Sequence, residues 1–294
     1  MRAYFLLLRP KQWTKNFIIF AALIFSAKFS DAGAVGLAVV AFVAMCLVSS
    51  ATYIVNDALD AEKDRLHPKK KFRPIASGEV SVPAALLLAL VFALVGLILG
   101  FILARRAGFL ILAYLVIQVL YNVALKKMSV ADVYAIASGF ILRAVLGAAA
   151  INVKISAWLL FCTAALALML GFSKRRNEFI QQGEGKAQTR ESLAGYSRSA
   201  LDALVIVFAT CAALCYGVYS IESKTASLHP GIFLTTGFVW YGISRYVLLV
   251  FNMNEGSEPA DILLKDKHMI FSVVGFIIAS MVAISLTRIP LIER

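Results

Sequence analysis

Nine stretches of this chain, roughly 16–30, 34–55, 83–104, 107–125, 130–151, 155–173, 200–220, 230–251 and 268–287, stay apolar over about the thickness of a bilayer. A spanning helix needs about 20 such residues, so the stretches read as transmembrane helices. Composition agrees, because 61% of the 294 residues are hydrophobic and mean hydropathy is +0.82, against about 45–50% apolar content in a soluble domain. The expected fold class is all-α: a polytopic membrane helical bundle of about nine transmembrane helices, forming one domain over residues 1–294. The first stretch follows Arg9, Lys11 and Lys15 as a signal peptide would, but a second apolar stretch comes at once, so it is read as the first helix of the bundle.

Charge sets the orientation. Of the 29 lysines and arginines, twenty fall on the side that holds residues 1–15, seven on the other, and Arg143 and Arg245 lie inside spans. Positive residues mark the cytoplasmic side, which places residues 56–82, 174–199 and 252–267 in the cytoplasm. The connections on the opposite side, such as 105–106 and 152–154, barely turn the chain, whereas loops longer than about 12–15 residues are usually functional. Chemistry is therefore expected in these three inner segments of a cell-membrane protein. Cys46, Cys162, Cys211 and Cys215 all fall in apolar spans and read as small buried hydrophobes.

The most informative inner segment begins Asn56-Asp57-Ala58-Leu59-Asp60-Ala61-Glu62-Lys63-Asp64 and runs through His67-Pro68 to Arg73-Pro74-Ile75-Ala76-Ser77-Gly78. If helical, Asn56, Asp60 and Asp64 recur every four residues on one face, with Asp57 beside them. Carboxylates are depleted next to membrane spans unless they have a function. Hard oxygen donors of this kind suit Mg²⁺, which binds through a few carboxylates and substrate phosphates. Eight residues of straight helix span about 12 Å, too far for one ion to touch both ends. Either two ions bridge a diphosphate, or the helix breaks near Asp57. Lys70 and Arg73 are placed to close on phosphate oxygens; Lys69 and Lys71 read equally well as lipid anchors.

A second cluster follows the sixth span: Lys174-Arg175-Arg176-Asn177-Glu178, then Glu184, Lys186, Arg190, Glu191, Tyr196 and Arg198. Its basic excess reads as a cationic pocket for several phosphates, or else as a charge cluster that only sets topology. Lys15 and Asn16, at the start of the first span, are candidates to line the site, and Trp13 reads as an interfacial anchor. Arg245 lies about 10 Å inside the membrane, within reach of a lipid phosphate or a carboxylate of the acidic cluster at 56–64. Arg143 is expected to be paired structurally or to snorkel. Asp261 and Asp266 are candidates to complete the pocket. Gly139 and Gly147, with the alanines around them, give the fifth span a small face for close packing. The three histidines form no metal-ligand spacing, and no serine or cysteine has an evident base partner.

These motifs resemble the UbiA superfamily of membrane prenyltransferases over the whole chain. The resemblance implies that Asn56, Asp60 and Asp64 bind Mg²⁺-diphosphate, with Asp57 as a supporting acceptor. Family members usually carry a second aspartate-rich motif after the sixth span. Here Lys174-Arg175-Arg176-Asn177-Glu178 stands there instead. With Arg9-Pro10-Lys11-Gln12-Trp13-Thr14-Lys15-Asn16 and Ser138-Gly139-Phe140-Ile141-Leu142-Arg143-Ala144, that departure is similar to the decaprenyl-phosphate phosphoribosyltransferase branch. The branch implies phosphoribosyl pyrophosphate as donor, a polyprenyl phosphate as acceptor and Mg²⁺ as cofactor; it also admits a homotrimer.

On that reading Asp57, Asp60, Asp64, Lys174 and Glu178 are catalytic, while Lys15, Asn16, Lys70, Arg73, Arg175, Tyr196 and Arg245 bind substrate. Lys174 and Arg175 would hold phosphate, and Glu178 a second metal or a ribose hydroxyl. Two alternatives remain: an aromatic prenyltransferase of quinone or haem synthesis, which would want a second carboxylate pair, and an anionic-lipid transporter, for which matched broken helices are lacking.

Overall fold

A computed structural model describes residues 2–66, 68, 70–182, 191–252, 262, 265 and 266, and 267–286. His67, Lys69, Glu184, Lys186, Arg190 and Asp261 lie outside the described residues. Every regular element described is helical: α1 (Arg2–Leu7), a 3₁₀ run (Pro10–Phe20), α2 (Ala21–Phe25), α3 (Ala32–Leu59), α4 (Ala61–Arg65), α5 (Val82–Leu103), α6 (Arg105–Val123), α7 (Ala131–Ala150), α8 (Ala157–Gln182), α9 (Arg198–Glu222), α10 (Lys224–Leu228), α11 (Thr236–Asn252) and α12 (Lys267–Leu286), with short 3₁₀ turns between them. Among the described residues, eight helices are long and apolar enough to cross a membrane. The chain is thus an all-α, multi-pass membrane protein, as composition required.

Two differences from the sequence reading matter. The first apolar stretch is a 3₁₀ run followed by the five-residue α2, not a spanning α-helix. Pro10 opens the run, and Trp13 and Asn16 spend their side chains on α3: Trp13 Nε1 donates to Ser50 Oγ at 3.0 Å, and Asn16 Nδ2 to Cys46 Sγ at 3.2 Å. The sixth span also continues past residue 173, so Lys174 to Glu178 lie on helix α8 and not in a loop.

The chain divides into two compact units. The first comprises Met1–Leu23, Asp31–Asn122 and Leu142–Val153; the second Ile24–Ser30, Val123–Ile141 and Lys154–Arg294. The division falls inside α7, because its two halves are buried among different neighbours.

In the first unit α3 presents Ala38, Ala41, Ala44 and Val48, all fully buried. α5 comes close enough that a Cβ on Gly96 would stand 2.8 Å from the Ala44 carbonyl oxygen. The later half of α7 makes the tightest approach, since a Cβ on Gly147 would lie 2.1 Å from the Ile19 carbonyl oxygen. Small residues of this kind let membrane helices pack by backbone proximity. After α3 the chain bends at Asp60 (φ −93°, ψ 1°) and resumes as α4. The bend does not interrupt the ladder: Asp60 N–H donates to the Asn56 carbonyl at 3.0 Å, and Asp64 N–H to the Asp60 carbonyl at 2.8 Å. The segment that follows is pinned by buried Ile75 and Val80 and by the Val80 N–H to Pro74 carbonyl bond of 3.0 Å.

The second unit is built on α8 and α9, with the first half of α7 and α11 beside them. Val133, Leu168, Phe172, Leu201, Val205 and Tyr246 form its main core. Phe172 stacks on Phe208 with ring centroids 5.5 Å apart and planes within 7°, an offset geometry that adds to simple burial.

Candidate active site

The acidic motif sits in the first unit, where α3 turns into α4. Asp57 and Asp64 are each 3% exposed, and they converge on one nitrogen: Arg73 Nη1 donates to Asp57 Oδ1 at 3.0 Å and to Asp64 Oδ2 at 2.5 Å. A straight helix would carry residues seven apart about 10 Å along its axis. The bend at Asp60, together with the reach of both side chains, closes that gap. The break therefore comes at Asp60, three residues later than Asp57. Asn56 and Asp60 are half-buried on the same segment.

Other cations complete the cluster. Arg9 Nη2 donates to the same Asp57 Oδ1, and Lys70 Nζ lies 3.9 Å from Asp64 Oδ1. Arg9 has a left-handed backbone (φ 49°, ψ 59°), a conformation that costs a non-glycine residue free energy and persists only where its surroundings enforce it. Those surroundings include the Tyr53 ring, whose centroid is 5.1 Å from the Arg9 guanidinium carbon. Tyr53 OH in turn donates to Gln12 Oε1 and accepts from Lys15 Nζ. Sequence reasoning did not single out Arg9 as a site residue. The signal available was its place just before Pro10, where the chain must turn.

Asn16 lies deeper and is fully buried. Its Oδ1 accepts from Arg143 Nε at 2.7 Å, and Arg143 Nη2 donates to Tyr114 OH at 3.0 Å, with the guanidinium over the Tyr114 ring. Asn16 and Arg143 thus form an internal polar link between the N-terminal segment and α7.

In the second unit the basic motif differs from its local sequence. Arg175 is 1% exposed; its Nε lies 2.8 Å from Asp132 Oδ2 and its Nη1 donates to Glu178 Oε2. Asp132 is fully buried in the first turn of α7 and also accepts from Ser192 Oγ at 3.1 Å. Arg176 Nε donates to Asp202 Oδ1, its Nη1 to the Val250 carbonyl at 2.9 Å, and its guanidinium lies 4.4 Å from the Phe251 centroid. Two of the three clustered cations therefore carry internal carboxylates, supplied by residues 43 positions upstream and 26 downstream. The cationic excess read from the motif shrinks accordingly, and Arg175, expected at a phosphate, is placed to orient Glu178. Lys174 and Glu178 themselves are half-buried. Tyr196 is buried, its OH accepting from Val130 N–H.

Arg245 makes a two-pronged pair with Asp266, Nη2 to Oδ2 at 2.7 Å and Nε to Oδ1 at 3.3 Å. Asp266 also accepts from Met269 N–H at 2.9 Å at the start of α12. The Arg245 hydrogen bonds, helped by that N–H, hold the Asp266 carboxyl down at about 2.

Among the described residues no group of three or more His, Cys, Asp or Glu side chains is gathered to hold a metal ion alone. Mg²⁺ does not need one, since it binds through one or two carboxylates completed by water and phosphate oxygens. The donors around Asp57 and Asp64 fit that mode: hard oxygens, buried, and already meeting at a single cationic atom.

The model of the UbiA prenyltransferase family matches residues 17–260. A decaprenyl-phosphate phosphoribosyltransferase of Mycolicibacterium smegmatis is 32% identical over 272 residues, covering 88% of this chain and 85% of that protein. One from Corynebacterium glutamicum is 33% identical over 269 residues, 88% of this chain and 80% of its own. In fold, the chain resembles a UbiA homolog from Archaeoglobus fulgidus bound to GPP and Mg²⁺, with a TM-score of 0.75 and 17% identity over 97% of this chain and 100% of that one.

Proposed function

Because this chain belongs to the UbiA prenyltransferase family, we propose that it transfers 5-phosphoribose from phosphoribosyl pyrophosphate to a polyprenyl phosphate such as decaprenyl phosphate. The observation that carries this reading is the likeness to phosphoribosyltransferases over 88% of the chain at about one-third identity, 32% in the Mycolicibacterium case. In the reaction the bond from the anomeric carbon to the pyrophosphate oxygen breaks, and its electron pair leaves with pyrophosphate. A phosphate oxygen of the lipid forms the new bond from the opposite face, with inversion. That oxygen is already ionised, so no general base is required, which agrees with the lack of an evident base in the sequence.

Asn56, Asp60 and Asp64 would hold Mg²⁺, which when bound supplies charge neutralisation for the leaving diphosphate. Asp57, paired with Arg9, supports the cluster. Arg73 and Lys70 carry donors suited to diphosphate oxygens, Arg73 as a planar fork and Lys70 as a mobile point charge. Lys174 is assigned to a phosphate. Glu178, oriented by the buried Arg175, is assigned to a ribose hydroxyl. Fixed positive charge and prepositioned donors of this kind stabilise charge as it develops in the transition state. The excess of lysine and arginine on one side supports a cytoplasmic active site in the cell membrane.

The test is donor choice. Purified protein in detergent, with Mg²⁺ or a chelator, is offered labelled phosphoribosyl pyrophosphate with decaprenyl phosphate, and separately a polyprenyl diphosphate with 4-hydroxybenzoate. Mg²⁺-dependent lipid-linked label from the first pair alone is the expected result. Product from the second pair alone would make the chain an aromatic prenyltransferase.

A further inference from the structure

We infer that Arg73 is a resident counter-ion that occupies the position of the metal on Asp64 and leaves it for the diphosphate, so that metal and diphosphate bind as a coupled pair. The inference rests on the proposal that Asp64 is a metal ligand, and it deepens that proposal by assigning the order in which the site fills. Asp64 Oδ2 accepts from Arg73 at 2.5 Å, and the Lys70 ammonium stands 3.9 Å from Oδ1. A metal ion on Asp64 would need an oxygen at about 2.1 Å. A guanidinium on the same carboxylate opposes that approach by charge. The two cations therefore compete for Asp64.

Charge sets the energetic order. Asp57 and Asp64 are nearly inaccessible, and buried carboxylates persist as anions only when paired. Arg9 and Arg73 match them one for one, with Lys70 in addition. A divalent cation arriving alone meets two carboxylates already outnumbered by three cations and would have to displace one of them toward solvent. Arriving with a diphosphate, it brings the anion that Arg73 and Lys70 can take as their new partner, Arg73 through the two-nitrogen fork of its guanidinium.

The side chains differ in their freedom to make this exchange. Arg73 has 26% of its side-chain surface exposed and Lys70 47%, while the backbone after Arg73 is held by the Ser77 N–H to Arg73 carbonyl bond of 2.8 Å and by buried Ile75. The side chain can swing while the loop stays. Arg9, lodged on Tyr53 with a left-handed backbone, remains on Asp57 as its fixed counter-charge.

The full-length protein in detergent is titrated with Mn²⁺, followed by electron paramagnetic resonance of the free ion, with and without inorganic pyrophosphate; a protein-free blank accounts for Mn²⁺ taken up by pyrophosphate itself. Pyrophosphate should tighten Mn²⁺ binding by at least about tenfold, and by linkage Mn²⁺ should tighten pyrophosphate by the same factor. In Arg73→Gln, Mn²⁺ alone should bind about tenfold better than in the wild type, and the coupling should fall below about threefold. Arg9→Gln, which removes an equal charge from Asp57 and leaves Asp64 covered, should retain the coupling. Wild-type Mn²⁺ binding indifferent to pyrophosphate overturns the inference without any variant. So does an Arg73→Gln protein that binds Mn²⁺ no better than the wild type, or an Arg9→Gln protein that loses the coupling equally. Pyrophosphate is a product of either donor chemistry, so failure of phosphoribosyl transfer would leave this result standing, and failure of the coupling would leave donor choice untouched.

Discussion

Asp132→Asn tests how much the second unit depends on a charge that no motif announces. Asp132 Oδ2 lies 2.8 Å from Arg175 Nε, with side-chain exposures of 0% and 2%. Removing one partner of a buried pair costs about 3–5 kcal/mol, because the other charge is left uncompensated. Asparagine preserves the size and the acceptor for Ser192, and Glu178 still faces Arg175, so the lower end, about 3 kcal/mol, is expected. At about 2–4 °C per kcal/mol for a chain of this order of size, melting should fall by about 6–12 °C. The four free cysteines, two of them buried, make a thiol-reactive fluorophore a suitable reporter of unfolding in detergent. Glu191→Gln is the internal control: its pair with Lys127, 3.4 Å long with 63% and 55% exposure, is worth at most about 1 kcal/mol. If Asp132→Asn melts within about 2 °C of Glu191→Gln, the buried pair does not hold this unit and the orientation of Glu178 needs another cause. A double-mutant cycle with Arg175→Gln then measures the coupling directly.

Further outcomes follow from the same geometry. Gly147→Ala forces a Cβ against the Ile19 carbonyl and should destabilise by about 1–3 kcal/mol, whereas Gly36→Ala, with no atom within 4 Å of its Cβ, should be neutral or stabilise α3 by up to about 1 kcal/mol; thermal melting of both decides. Asp60→Asn and Asp64→Asn should each lower phosphoribosyl transfer by at least about 100-fold without a comparable loss of melting temperature, and near-normal turnover in Asp60→Asn would remove it from the metal set. The Asp266 carboxyl is depressed from 3.8 to about 2, so its contribution to stability is fully present above pH 4 and is lost as pH falls through 2. Asp266→Asn should therefore flatten the pH dependence of melting between about pH 4 and pH 2 and leave its shape at neutral pH unchanged.

The fold was legible because hydrophobic length is a local property. Seven apolar stretches from 34–55 to 230–251, and the last at 268–287, reappear as helices within a few residues of their expected ends, apart from the longer α8. The first stretch did not, because its conformation is set by contacts with α3 that local hydropathy does not encode. The acidic motif was legible for a similar reason: its residues lie within nine positions of one another. What the four-residue spacing missed is the bend at Asp60, which brings Asp57 and not Asn56 into register with Asp64. The basic motif was misweighted by the same locality. Counting charges along residues 174–178 shows three cations against one anion, but whether a cation is available depends on Asp132 and Asp202, which arrive from other helices.

In each unit an arginine stands between two acidic side chains, Arg73 between Asp57 and Asp64 and Arg175 between Asp132 and Glu178. Local chemistry alone would give the two arginines the same role. Exposure separates them: Arg73 keeps 26% of its side-chain surface and Arg175 only 2%. To release Arg175 would deprive the fully buried Asp132 of its counter-charge, a cost of several kcal/mol. Arg73 can reach solvent, and an incoming phosphate, without leaving its carboxylates uncompensated once a metal takes its place. The same motif thus serves as a fixed brace in one unit and as an exchangeable counter-ion in the other, and it is burial, not residue type or spacing, that decides which.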